Sequence, residues 1–82
     1  MVRRMTAKEL FRKLGYKYKE PTLKAYGDRY FYYEDIFKDN LIIFYLKEKE
    51  VMTSHNHREM DIDMPTFKAI QKQLEELGWL DE

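Results

Sequence analysis

Two segments of the chain repeat apolar residues at helical spacing, and the stretch between them alternates. Ala7, Leu10, Phe11 and Leu14 fall at i, i+3, i+4 and i+7, along one side of a helix. Thr6-Ala7-Lys8-Glu9 opens it as a capping box, in which the Thr6 hydroxyl accepts from the Glu9 N–H and the Glu9 carboxylate reaches back. Gly15 closes it with a left-handed cap, and Tyr16 can fold over the last turn. The spacing predicts a helix over 6–14. Phe67, Ile70, Leu74 and Leu77 form a second stripe, with Asp63 as N-cap and Pro65 in the first turn, where a missing N–H costs nothing. This predicts a helix over 64–77 that ends at Gly78-Trp79. Leu14-Gly15-Tyr16 and Leu77-Gly78-Trp79 are one stop signal used twice.

Between the helices, residues 29–34 are rich in aromatics that suit a pleated surface, 35–40 read as a turn, and 41–48 as a central strand. Lys47-Glu48-Lys49-Glu50 offers a second turn before a shorter strand over 51–55. Residues 17–27, which hold Pro21 and Gly27, form a long connection in which Thr22–Tyr26 could add an edge strand. The expectation is one small α+β domain over 1–82 in the order α-β-β-β-α, a three-stranded antiparallel meander with both helices on one face.

Period-two alternation divides the aromatic stretch into two rows. Phe31 and Tyr33 share a side with Ile42, Phe44 and Leu46, under the helices; Tyr30, Tyr32, Ile43 and Tyr45 point the other way. Two short helices cover one face only, so the second row is either covered by residues 17–27 or held for contact. The contact would be a second copy, another protein or a nucleic acid.

Composition and charge narrow these choices. Hydrophobic residues at 44% and aromatics at 16% indicate a folded domain. The chain has no cysteine, which removes disulfides and thiolate metal sites and fits a cytoplasmic setting. Its longest apolar run, Leu41 to Leu46, is far short of a membrane span, and residues 1–5 lack a signal peptide's apolar stretch, so no membrane role is expected. Net charge is zero, yet residues 1–30 carry +6 and residues 31–82 carry −6. Arg3, Arg4, Lys8, Arg12, Lys13, Lys17 and Lys19 could therefore meet an acidic partner, or simply solvate a helix face.

Double-stranded RNA-binding domains share the α-β-β-β-α order, but their second helix opens with lysines set against phosphates. Here it opens with Asp61, Asp63 and Pro65, which disfavours that use. His55 and His57 on a strand would face one side, and Thr53, Glu59, Asp61 and Asp63 keep the same alternate spacing. Zinc needs three or four ligands at about 2.0–2.2 Å, and residues 56–61 read as a loop that breaks the register, so no metal or other cofactor is expected. With no glycine-rich phosphate loop, no cysteine nucleophile and no acid–base pair in view, the reading is non-enzymatic, with no catalytic residue.

"MTAKELFRKLGYKY" at residues 5–18 and "FKAIQKQLEELGWL" at 67–80 resemble a family of small, uncharacterised phage and prophage proteins of Gram-positive bacteria. Its members pair an N-terminal AKE and LGY with a C-terminal ELGW around a short β-meander. The resemblance implies a cytoplasmic accessory protein of an infected or lysogenic cell. Such a protein would bind and modulate a host protein, for example as a counter-defence inhibitor of the anti-CRISPR kind. The partner-binding set expected from the sequence is Tyr30, Tyr32, Ile43 and Tyr45 with Arg4, Lys8 and Arg12. The alternative is a nucleic-acid-binding regulator that uses the basic N-terminal segment.

Overall fold

The computed structural model describes residues 5–23 and 29–81. Helix α1 spans Ala7–Lys13 and is opened by the expected capping box, with Thr6 Oγ1 accepting from the Glu9 N–H at 3.2 Å and Glu9 Oε1 accepting from the Thr6 N–H at 3.2 Å. At its end Tyr16 N–H donates to the Phe11 carbonyl (2.9 Å) and Gly15 N–H to that of Arg12 (3.0 Å), with Gly15 at φ 98°. This pair of bonds is a Schellman closure, and it sets the Tyr16 ring edge-on to Phe11 at 5.7 Å.

That closure delivers the chain directly into strand β1, Lys17–Lys19. Strands β2 (Tyr30–Asp35), β3 (Asn40–Tyr45) and β4 (Glu50–His55) follow, and the sheet runs β1-β2-β3-β4, antiparallel throughout. The α+β class stands, but the sheet has four strands rather than three. The added edge strand is Lys17–Lys19 and not Thr22–Tyr26, of which residues 24–26 lie outside the described residues. Three residues are too short to register as a period in sequence. Their pattern nevertheless fits, because Tyr18 pairs with Tyr33 and turns inward while Lys17 and Lys19 turn outward.

Helix α2, Met64–Glu76, is capped by Asp63, whose Oδ1 accepts from the Thr66 N–H at 2.9 Å, and a 3₁₀ turn at Trp79–Asp81 follows it. Its buried side differs from the expected stripe. Thr66, Ala69 and Gln73 are buried, Ile70, Leu74 and Leu77 are only partly so, and Phe67 is 50% exposed. Two contacts rotate the helix. Gln73 Oε1 accepts from the Tyr33 hydroxyl at 2.6 Å inside the core, and Glu76 Oε2 accepts from the Ala7 N–H at 2.8 Å. The second contact satisfies a first-turn donor of α1 with a carboxylate, the charge that a helix N-terminus favours. It also sets the start of α1 beside the end of α2.

The core is ring on ring. Phe11 stacks on Tyr33 at 3.9 Å, Phe31 stacks on Phe44 at 5.1 Å, and Ile42, Ala7 and Ala69 are fully buried beside them. Phe31, Tyr33, Ile42 and Phe44 thus form the row that alternation assigned to the helix side.

Candidate protein-binding surface

The β2–β3 hairpin aligns the second row. Tyr30 lies opposite Tyr45, Tyr32 opposite Ile43 and Glu34 opposite Leu41, so these six side chains share the sheet face away from the core rings. Tyr30 is 6.4 Å from Tyr32 and 6.0 Å from Tyr45, centroid to centroid. All six are half-buried, and Tyr30, Tyr32, Glu34, Leu41 and Ile43 line a shallow groove of about 320 Å³. The neighbouring strands widen the face. Lys19 stands opposite Tyr32, with its Nζ 3.2 Å from Glu34 Oε1, and Met52 stands opposite Ile43.

Strand β1, the only part of residues 17–27 whose pairing is described, does not lie over this row. Residues 17–19 are the strand beside it, Tyr18 turns under the helices with its ring 5.4 Å from Phe31 and 5.5 Å from Tyr33, and Leu23 is exposed. Burial raises the Tyr18 phenol to about 12, and its hydrogen bond to Glu20 (2.9 Å) and that carboxylate's charge push the same way. Tyr26 falls outside the described residues.

The expected partner-binding residues separate into two regions. Tyr30, Tyr32, Ile43 and Tyr45 come together on the outer sheet face. Lys8 and Arg12 belong to α1, on the core side of the sheet, where Lys8 Nζ sits 4.0 Å over the Tyr18 ring. With Lys17, Thr6 and Glu9 they line an open groove of about 500 Å³ between α1 and β1. Arg4 lies outside the described residues.

The turn between β2 and β3 holds what the sequence reading passed over. Phe37 at its tip is 99% exposed, and Ile36 beside it is also exposed. The tip is fastened at its base: the buried Asp35 carboxylate accepts from the Phe37 N–H (3.1 Å) and the Lys38 N–H (3.3 Å), and Asp39 takes a left-handed φ of 55°. Asn40, the first residue of β3, accepts at Oδ1 from His55 Nδ1–H across 2.6 Å. The available signal was the Ile-Phe pair set inside a run of turn-forming Asp and Asn residues.

The histidine row does not continue past His55. Asn56 (φ 51°) and His57 (φ 62°) both sit in the left-handed region, and the chain doubles back so that His55 and Arg58 exchange backbone hydrogen bonds at 2.8 and 2.9 Å. The alternate spacing of Thr53, His55, His57, Glu59, Asp61 and Asp63 therefore places no common side of a strand. Among the described residues no group of three His, Asp or Glu is placed to hold a metal ion, and no helix is long and apolar enough to cross a membrane. Compared with protein-family models, curated proteins and solved structures, the chain matches none.

Proposed function

We propose that this chain acts by binding another protein through the outer face of its sheet, with Tyr30, Tyr32, Ile43 and Tyr45 at the centre of the contact. The observation that carries the reading is the alignment of these residues in one cross-strand block, on the face opposite the core rings and half open to solvent. Tyrosine suits such a face because it gives large contact area at small entropy cost and keeps a polar tip for water or a partner. The fastened Ile36-Phe37 tip, at the end of the same hairpin, extends the apolar surface. The resemblance of the chain's ends to phage and prophage proteins suggests the class of target: a host protein that the chain inhibits or redirects in the cytoplasm, a counter-defence role included. Tyr32→Ala and Tyr45→Ala should each weaken partner binding by about 1–3 kcal/mol, as interface anchors do, while thermal unfolding changes little. If both variants unfold as badly as a core substitution, the row is structural and the reading fails.

The groove between α1 and β1 supports a second reading, a nucleic-acid contact through Lys8, Arg12 and Lys17. Phosphate binding weakens steeply with salt, whereas an apolar protein interface weakens little, so a salt titration of the complex separates the two.

A further inference from the structure

We infer that the outer edge of β4 pairs with the same edge of a second copy, joining two sheets into one across a two-fold axis. The inference does not rest on the tyrosine face; it follows from the backbone.

Strand β4 ends the sheet, and among the described residues no strand lies beyond it. The turn at its end tells which groups point outward. Asn56 N–H donates inward to the Asp39 carbonyl on the β3 side, whereas the N–H and C=O of His55 point away from β3 and bond to Arg58. Antiparallel ladders alternate, so Ser54 and Met52 bond to β3 while Thr53 and Val51 present their N–H and C=O outward. Four backbone groups over three residues form a short row of donors and acceptors open to pairing. Natural sheets protect such an edge with a charge, a proline or a bulge. Val51-Met52-Thr53-Ser54 contains no charged residue and no proline, and its register against β3 is continuous. The β1 edge differs, being three residues long with lysine at both ends.

One register satisfies all four groups and a two-fold axis together. Val51 of each copy pairs with Thr53 of the other, exchanging both hydrogen bonds, and Met52 then lies opposite Met52. Opposed residues share a face, so Met52 meets its equivalent on the outer side, where it is 41% exposed. Glu50 of one copy lies opposite Ser54 of the other, in line with Arg58, whose backbone occupies the next position of the same edge through His55. The chain enters β4 through Lys49 at φ 58°, which turns it out of that lane before it would meet Arg58. The same strand of a second copy meets all four outward groups in this register, and we take the partner to be the chain itself.

The chain has no cysteine, which allows a clean crosslinking test. In this register the two Met52 Cα atoms face each other as a non-hydrogen-bonded pair, about 4.5 Å apart, within disulfide range. Met52→Cys should give a covalent dimer on mild oxidation, and Glu50→Cys, whose equivalents stand four residues out of register, should not. In sedimentation equilibrium the unmodified chain should dimerise. Thr53→Pro, which removes an outward N–H that β3 does not use, should raise the dimer dissociation constant at least about tenfold. Met52→Lys, which opposes two ammonium groups on an exposed position, should do the same; where the proline variant fails to fold, the contrast between Met52→Cys and Glu50→Cys crosslinking decides, because it reads the register itself. A chain that stays monomeric at millimolar concentration overturns the inference, as does equal crosslinking at position 50. A dimer that survives Thr53→Pro and Met52→Lys but is lost in Tyr32→Ala also overturns it, and places self-association on the tyrosine face.

Discussion

Tyr33 is the residue on which the two helices and the sheet converge. It is almost fully buried, stacks on Phe11 of α1, and donates its hydroxyl to Gln73 of α2. Burial pushes its phenol well above the ordinary value of 10, and the nearby Tyr18 and Glu76 add to the shift. Tyr33→Phe keeps the ring but leaves the Gln73 amide without its partner, so it should cost about 1–3 kcal/mol in a denaturant titration at neutral pH. The raised phenols also set an alkaline limit. A group whose folded pKa lies above its unfolded value contributes stability that is complete below the unfolded pKa and is lost as pH rises through the folded one. For Tyr18 that window runs from its ordinary 10.0 to about 12. Melting temperature should accordingly fall between about pH 10 and pH 12, and Tyr18→Phe should make that fall shallower with little change at pH 7. Equal slopes in the two proteins would remove Tyr18 from the account.

At the scale of elements, the two glycine stops are the same signal in sequence and differ in the fold. Gly15 and Gly78 both adopt positive φ, 98° and 76°. A Cβ on Gly78 would meet nothing within 4 Å, whereas one on Gly15 would sit 3.1 Å from Asp35 Oδ2. Asp35 is the buried carboxylate that holds the Phe37 tip, and it has little room to retreat. Gly78→Ala should therefore cost only the left-handed strain, about 1–2 kcal/mol. Gly15→Ala should cost clearly more and should also loosen the tip, visible as faster amide exchange at Phe37 and Lys38. Equal costs would show that Asp35 yields freely. Both α1 and α2 would still form in either variant, because their N-terminal caps lie at the opposite ends.

For the whole molecule, the sheet is the divider. One side carries the aromatic core and both helix contacts, and the other carries the tyrosine block. Ile42 and Ile43 are neighbours in sequence on opposite sides of that divider: Ile42 is fully buried, Ile43 only half. Ile42→Ala should destabilise by about 2–5 kcal/mol, as large-to-small core changes do. Phe37→Ser, at a side chain that touches almost nothing, should leave unfolding within about 0.5 kcal/mol of the unmodified chain. Measured side by side, these two values bracket the tyrosine variants: a contact surface places Tyr32→Ala and Tyr45→Ala near Phe37→Ser, and a structural one places them near Ile42→Ala.

Local chemistry was enough to determine the helix ends and the two faces of the hairpin. The Thr6–Glu9 box, the Asp63 cap and the glycine stops act within a few residues of themselves, and period-two alternation sorts Tyr30 and Tyr32 from Phe31 and Tyr33 before any partner strand is known. What the tertiary structure alone decided involves contacts between residues far apart in the chain. Lys17–Lys19 becomes a strand because β2 offers it an edge, which three residues cannot announce. Gln73 is buried in place of Phe67 because the Tyr33 hydroxyl, forty residues away in the chain, needs an acceptor more than the helix needs to hide one ring. Lys8 and Arg12 part from the tyrosine block because α1 lies on the core side of the sheet, which no local pattern encodes. The exposure of Phe37 belongs with them: Asp35 fixes the turn locally, but only the packed molecule shows that nothing described covers its tip.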